Sequence, residues 1–254
     1  MDMRTKLVFA LVAVSLGSML ILGATTYSSA QRLLTDGTLD QLESLADAKE
    51  ERVEGLVSDW MDRARLAASP RPMRASLGVY NRTGDQDAAV RIQEFLDDAL
   101  GSVETFESLS VYDAEGRPVA SIDRDGLPAA VQGGVPEIGR PADEPVLVRA
   151  ILLGDQPQIE FAVPLLFDGE SQGTLNVRID AADLLNVTSN RDGLGDTGET
   201  LIMAQDTSGE VRLLNPPLYP PADGSTVPMG ELAERALGGE EGRVSAGVED
   251  YRGR

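Results

Sequence analysis

The sequence has no cysteine and no histidine. That excludes disulfide staples, Cys/His zinc sites and every catalytic device built on imidazole or thiolate. Carboxylate, hydroxyl, lysine and arginine remain, a short menu for an enzyme. Aromatic residues are scarce, at 4%, so a core must be built mainly from Leu, Val, Ile and Ala. Positive charge is scarce too. Against 42 acidic residues stand only 22 basic ones, a net charge of −20. A field of that sign repels phosphates and argues against DNA or RNA as a partner. The acids are spread along the chain rather than gathered in a tail. A well-solvated surface explains them, and a cation-binding protein is the sharper alternative.

What is present begins with a long apolar run. Arg4 and Lys6 precede it, and no charged residue occurs from Leu7 to Gln31. A helix needs about 20 apolar residues to cross a bilayer core. The run predicts a transmembrane helix over 7–28, with residues 1–6 in the cytoplasm by the positive-inside rule and Tyr27 at the opposite interface. The alternative is a cleaved signal peptide, with Ser28-Ser29-Ala30 as the small residues at the cut. Either way the bulk of the chain is expected outside the cytoplasm.

Helical periodicity follows directly. Leu39, Leu42, Ala46, Val53, Leu56, Trp60 and Ala67 recur at spacings of three and four or their sums, the mark of one buried helix face. Leu33, Leu34, Leu45, Val57 and Leu66 widen the stripe, while Lys49 and Arg63 interrupt it. The spacing predicts a stalk helix from about Gln31 to Ser69, ended by Pro70 and Pro72. Such a helix is long for one small domain. It is expected to pack on its own domain and also to pair with a second copy.

A second helix is predicted over Ala88–Leu100, and strands over Phe106–Tyr112, Pro118–Ile122, Val146–Leu153, Gln158–Leu166 and Gly173–Ile179. Turn residues separate them, and the last three form an antiparallel meander in the simplest topology. Gly126–Pro145 reads as a Gly/Pro-rich loop. The pattern then restarts. Thr200–Gln205 and Val211–Leu214 flank Asp206-Thr207-Ser208-Gly209, which repeats the Asp-x-x-Gly turn of Asp113–Gly116. A Pro/Gly-rich loop at Pro216–Pro228 and a short helix at Met229–Leu237 follow. The echo predicts a second module of the same kind, with only its first part present by Arg254.

With these elements in hand, the chain resembles the double Cache family, the PAS-like extracytoplasmic sensors of bacterial transmembrane receptors. Leu194-Gly195-Asp196-Thr197-Gly198-Glu199-Thr200 resembles the linker that opens the membrane-proximal module. Phe161-Ala162-Val163-Pro164 through Ile179-Asp180 resembles the last two strands of the distal one. Asp250-Tyr251-Arg252-Gly253 resembles a late hairpin turn of the proximal one. The fold so implied is α+β, with tandem antiparallel-sheet modules. The domain boundaries are a stalk at 29–69, a membrane-distal module at 70–187 and an incomplete proximal module at 188–254. The resemblance implies a small-molecule ligand in the distal module, a homodimer through the long helix, an inner-membrane location and an output such as a histidine kinase or nucleotide cyclase in the full receptor.

The amino-acid-binding members carry Tyr…Arg-x-Trp-Tyr, where this chain reads Asp143-Glu144-Pro145-Val146-Leu147-Val148-Arg149. Arg149 is the candidate partner for an anionic ligand, against a surface or packing role. No Gly-x-Ser-x-Gly or phosphate-binding Gly-rich motif occurs. Asp192–Glu199 places three carboxylates among glycines without the spacing of a calcium loop. No catalytic residue, metal ligand or cofactor is therefore expected. The competing reading is a secreted or anchored binding or structural protein without a signalling output.

Overall fold

The computed structural model describes residues 3–124, 145–153, 156–195, 198–205, 211–219 and 235–238, without the side chains of 3–14, 151–153 and 212. The expected loop at 126–145 lies almost wholly outside these residues, as do the Asp206–Gly209 turn, most of the helix expected at 229–237 and the motif at Asp250–Gly253.

One helix, α1 (Met3–Ala68), runs 66 residues, about 100 Å at about 1.5 Å per residue. The apolar run and the stalk are thus one continuous rod. Among the described residues no helix is long and apolar enough to cross a membrane, and residues 7–14 of the apolar run are among those whose side chains fall outside the description. The buried stripe of α1 is narrower than its sequence suggests. Trp60, Ala64 and Ala68 are buried, with Val53, Leu56, Val57, Met61 and Ala67 packed at the margin. Ala46 is exposed, and so are Leu33, Leu34 and Leu66; Leu66 lies between buried Ala64 and Ala68 and so faces away from the core.

The two prolines that close α1 also open a helix the sequence reading omits, α2 (Arg71–Thr83). Pro72 sits in its first turn, where the missing N–H would have had no partner. Gly84 ends it in the left-handed region at φ 69°, its N–H bonded to Tyr80 O. Next, α3 (Gln86–Ser102) starts on Asp85, whose side chain accepts from Asp87 N.

Five strands follow the expected positions closely: β1 (Phe106–Asp113), β2 (Pro118–Asp123), β3 (Val146–Leu153), β4 (Gln156–Phe167) and β5 (Glu170–Asp180). The sheet is antiparallel, in the order β2-β1-β5-β4-β3. A short helix, α4 (Asp183–Ser189), unforeseen in the sequence, leads to a two-stranded ribbon of β6 (Met203–Gln205) and β7 (Val211–Leu213). The ribbon pairs Gln205 with Val211, so the strands that flank the second Asp-x-x-Gly segment are antiparallel, like β1 and β2.

Helices α1–α3 cover one face of the large sheet. Trp60, Met73, Leu77, Ile92 and Leu96 join Leu109, Val111, Phe161, Val163, Leu175 and Val177 in one core. Each fully buried side chain of this size contributes about 1.5–3 kcal/mol.

The β1–β2 turn is set by Asp113, only 3% exposed. Its carboxylate accepts from Glu115 N at 3.0 Å, Arg117 N at 2.7 Å and Arg117 Nε at 2.7 Å. Gly116, at φ 78°, closes the turn on Asp113 O. Arg117 is largely exposed, so water screens its ion pair and the backbone bonds carry the stabilisation. Asp113→Ala strips two turn N–H groups of their acceptor and is expected to cost about 1–3 kcal/mol. Urea unfolding checks this, and a loss below about 0.5 kcal/mol, the usual range of surface changes, refutes it.

Candidate functional site

Side chains alternate between the two faces of a strand. With Leu109, Val111, Phe161, Leu175 and Val177 committed to the helices, their neighbours in sequence face the other way. Those neighbours are polar: Ser108, Ser110 and Tyr112 on β1, Thr174, Asn176 and Arg178 on β5, Gln158 and Glu160 on β4. The strand register sorts them into rows. One row crosses all five strands as Arg149, Glu160, Arg178, Ser108 and Asp123. The next holds Ala162, Asn176, Ser110 and Ser121.

This face is polar yet poorly exposed. Ser108, Ser110, Tyr112 and Asn176 are all buried, Asn176 at 4%. Asn176 Nδ2 donates to Glu160 Oε1 at 3.0 Å. Burial pushes the Tyr112 hydroxyl above the usual phenol range, and the charge of Glu160 pushes it the same way. A hydrogen bond with Ser110 and the charges of Arg178 and Arg149 oppose that rise. The hydroxyl therefore lies within electrostatic reach of all three charged groups.

Three buried atoms on this face lack a hydrogen-bond partner: Asn176 Oδ1, Gln158 Oε1 and Arg178 Nε. Leaving such atoms unpaired costs about 1–3 kcal/mol each. Two acceptors and one charged donor are thus ready to bond a small molecule. Arg149, the one site residue the sequence singles out, sits on the edge strand β3 directly across from Glu160. Glu160, Asn176, Arg178 and Tyr112 went unnoticed. Their signal was available, since Thr174-Leu175-Asn176-Val177-Arg178-Ile179 alternates without a break.

A separate cleft of about 730 Å³ lies between α1 and the segment after α4, lined by Leu42, Leu45, Val53, Val187, Ile202 and Leu237 among others. Its walls are mainly apolar, with Lys49, Glu50, Glu54, Glu199 and Thr200 among them. Burial lowers the Lys49 ammonium below the usual lysine range, and three oxygens from two segments surround it. Of the acidic cluster at 192–199, Asp192 is exposed, Glu199 accepts from Leu218 N at 2.7 Å, and Asp196 lies outside the described residues.

No family model matches the sequence, and no curated protein does. Solved structures do match. The sensory domain of the Campylobacter jejuni chemoreceptor Tlp3 with isoleucine bound aligns with a TM-score of 0.50 and 18% identity, over 80% of each chain. The ligand-binding domain of the Pseudomonas fluorescens chemoreceptor CtaA, in complex with L-isoleucine, aligns at 0.47 and 17%, over 74% of this chain and 71% of that one. The sensor domain of the V. cholerae histidine kinase DctB aligns at 0.45 and 14%, over 60% of each. This chain spans 63% of the Tlp3 domain in complex with 4-methylisoleucine. At the level of fold, the chain is similar to that sensory domain of Tlp3.

Proposed function

We propose that this chain is the extracytoplasmic, ligand-sensing part of a bacterial transmembrane receptor, and that the polar face of its five-stranded sheet binds a small polar molecule. The observation that carries the reading is the set of orphaned atoms, Gln158 Oε1, Asn176 Oδ1 and Arg178 Nε, on one face. A sheet face that served only packing would be apolar, as its reverse side is. The proposed contacts are Arg178 and Arg149 to an acidic group, Glu160 and Tyr112 to a donor, and Asn176 to either.

Membrane attachment is supported by the exposed surface of α1. Leu16, Met19, Leu20, Ile21 and Leu22 are 57–75% exposed, on every side of the helix. A helix that is apolar all round needs an apolar surround. Further along, Leu33 and Leu34 are 73% and 74% exposed, which supports a homodimer paired along the stalk. Ligand binding would then favour one arrangement of the paired stalks, by no more than the ligand's differential affinity for the two. The output would be that of a histidine kinase or cyclase in the full-length receptor.

The binding test uses the whole chain in lipid nanodiscs, with unfolding followed by the fluorescence of Trp60, its single tryptophan. A panel of amino acids, hydroxy acids and carboxylates is screened. A true ligand at about a hundredfold excess over its Kd adds about 2.7 kcal/mol. Arg178→Ala is expected to weaken that ligand at least about tenfold, the equivalent of about 1.4 kcal/mol. A panel member that stabilises the wild type and Arg178→Ala at equal concentrations binds elsewhere, and the reading fails.

A further inference from the structure

Lys49 looks like a flaw in the apolar stripe of α1. Its ammonium donates to Val187 O at 2.9 Å, Asn190 O at 2.8 Å and Thr200 Oγ1 at 2.9 Å. A lysine has three N–H donors, and all three are matched. Val187 lies in the last turn of α4, and Asn190 is its C-cap. Thr200 lies just ahead of β6. One stalk residue therefore holds the end of the distal module and the start of the next segment together.

A second observation places the linker hard against the same helix row. Gly193 has φ +84°, and a Cβ there would stand 3.1 Å from Gln41 Nε2 and 3.6 Å from Leu45 Cδ2. Gln41, Leu45 and Lys49 are four residues apart and so share one face of α1. Arg191 bonds Gly195 O and Gly198 O within the linker.

The path back to the sheet is short. Asn176 and Arg178 sit on β5, and α4 begins three residues after β5 ends. Ala181 N bonds Pro157 O, and Ala182 N bonds Asp180 Oδ1, so the connection is pinned. Sliding α1 by one turn, about 5.4 Å, would carry the ammonium away from all three oxygens. A single polar residue in an apolar seam is a known way to specify register.

We propose that Lys49 is the positioning residue that couples the polar sheet face to the stalk, passing displacement of β5 and α4 to α1 through its three hydrogen bonds. The proposal rests on the sensing reading for the origin of that displacement, and the attachment itself is tested without any ligand. The chain has no cysteine, so spin-label pairs can be placed cleanly. In nanodiscs, the pair Glu51→Cys with Asn186→Cys spans α1 and α4. The pair Ser171→Cys with Asn186→Cys spans the sheet and α4, as the control.

The expected result is a narrow α1–α4 distance distribution in the parent chain. Lys49→Met should about double its width, since a slip of one turn is about 5.4 Å, and leave the control pair unchanged. Thr200→Val, which removes one acceptor, should give a smaller broadening and decides the matter if Lys49→Met does not fold. An unchanged α1–α4 distribution in Lys49→Met, or in Thr200→Val where that variant decides, overturns the proposal. Broadening that extends to the control pair also overturns it, because Lys49 then only keeps α4 folded. The sensing reading fails separately, through the Arg178→Ala test, whatever these distances show.

Discussion

Gly173→Ala is expected to unfold the five-stranded sheet or come close to it. Gly173 sits on β5, the central strand of the sheet, opposite Asp113 of β1 and Leu165 of β4. Its φ is +147°, and a Cβ built there falls on the carbonyl oxygen of Tyr112, with Tyr112 C at 3.0 Å and Asp113 C at 3.1 Å. These are backbone atoms of a neighbouring strand, so no side chain can swing aside. Relief requires β1 and β5 to part at the point where the β4–β5 register already shifts, between Leu165 and Leu166. Backbone strain of this kind costs about 1–3 kcal/mol, and overpacking adds about 1–3 kcal/mol. Against a domain stability of about 5–15 kcal/mol the sum is severe. Gly169 separates the two contributions. It also has positive φ, at +86°, but nothing lies within 4 Å of its added Cβ. Gly169→Ala should show the strain alone, at about 1 kcal/mol, near the lower end for such backbone strain. Urea unfolding monitored at Trp60 measures both, and equal losses for the two variants would refute the steric account.

The strands were legible because the chain punctuates them. Asp113–Gly116 and Asp168-Gly169 are turn residues set between apolar alternations, and all five strands of the sheet lie within a few residues of their expected bounds. Their pairing was less legible. That β1 lies beside β5, far along the chain, follows from burying the central strand on both edges, which no local pattern encodes. Helix α2 is not legible in the pattern because Pro70 and Pro72 mark the end of one helix as readily as the first turn of the next, where proline is at home. At 7 residues, α4 is too short for periodicity to declare it. The site divides the same way. Asn176 and Arg178 show in the alternation of β5, but only the register brings Glu160 between Arg149 and Arg178. Only the packed structure shows which atoms are left unpaired. Lys49 was visible as an interruption of the stripe. Its meaning depends on acceptors more than 130 residues away, so no inspection of the helix alone could supply it.

Truncating Trp60 is the second large effect. Its side chain is 1% exposed and lies in the core that joins α1 to the sheet. Trp→Ala in such a position removes the largest side chain in the cluster and leaves a cavity that Ala64 and Met73 cannot fill. The expected loss is about 3–5 kcal/mol, read by circular dichroism because the chain then has no tryptophan to report. Trp60→Phe keeps most of the apolar volume and should lose less than half as much. The combination with Lys49→Met is more informative than either alone. The two residues lie about 16 Å apart along the helix at about 1.5 Å per residue, and share no partner. Independent sites at that distance add within about 0.5 kcal/mol. Additive losses mean that the stalk is held at two separate points, apolar at Trp60 and hydrogen-bonded at Lys49. A coupling energy well beyond that margin would mean one attachment forms only with the other. The stalk could not then shift against the linker while staying docked on the sheet, and the transmission route through Lys49 would be lost.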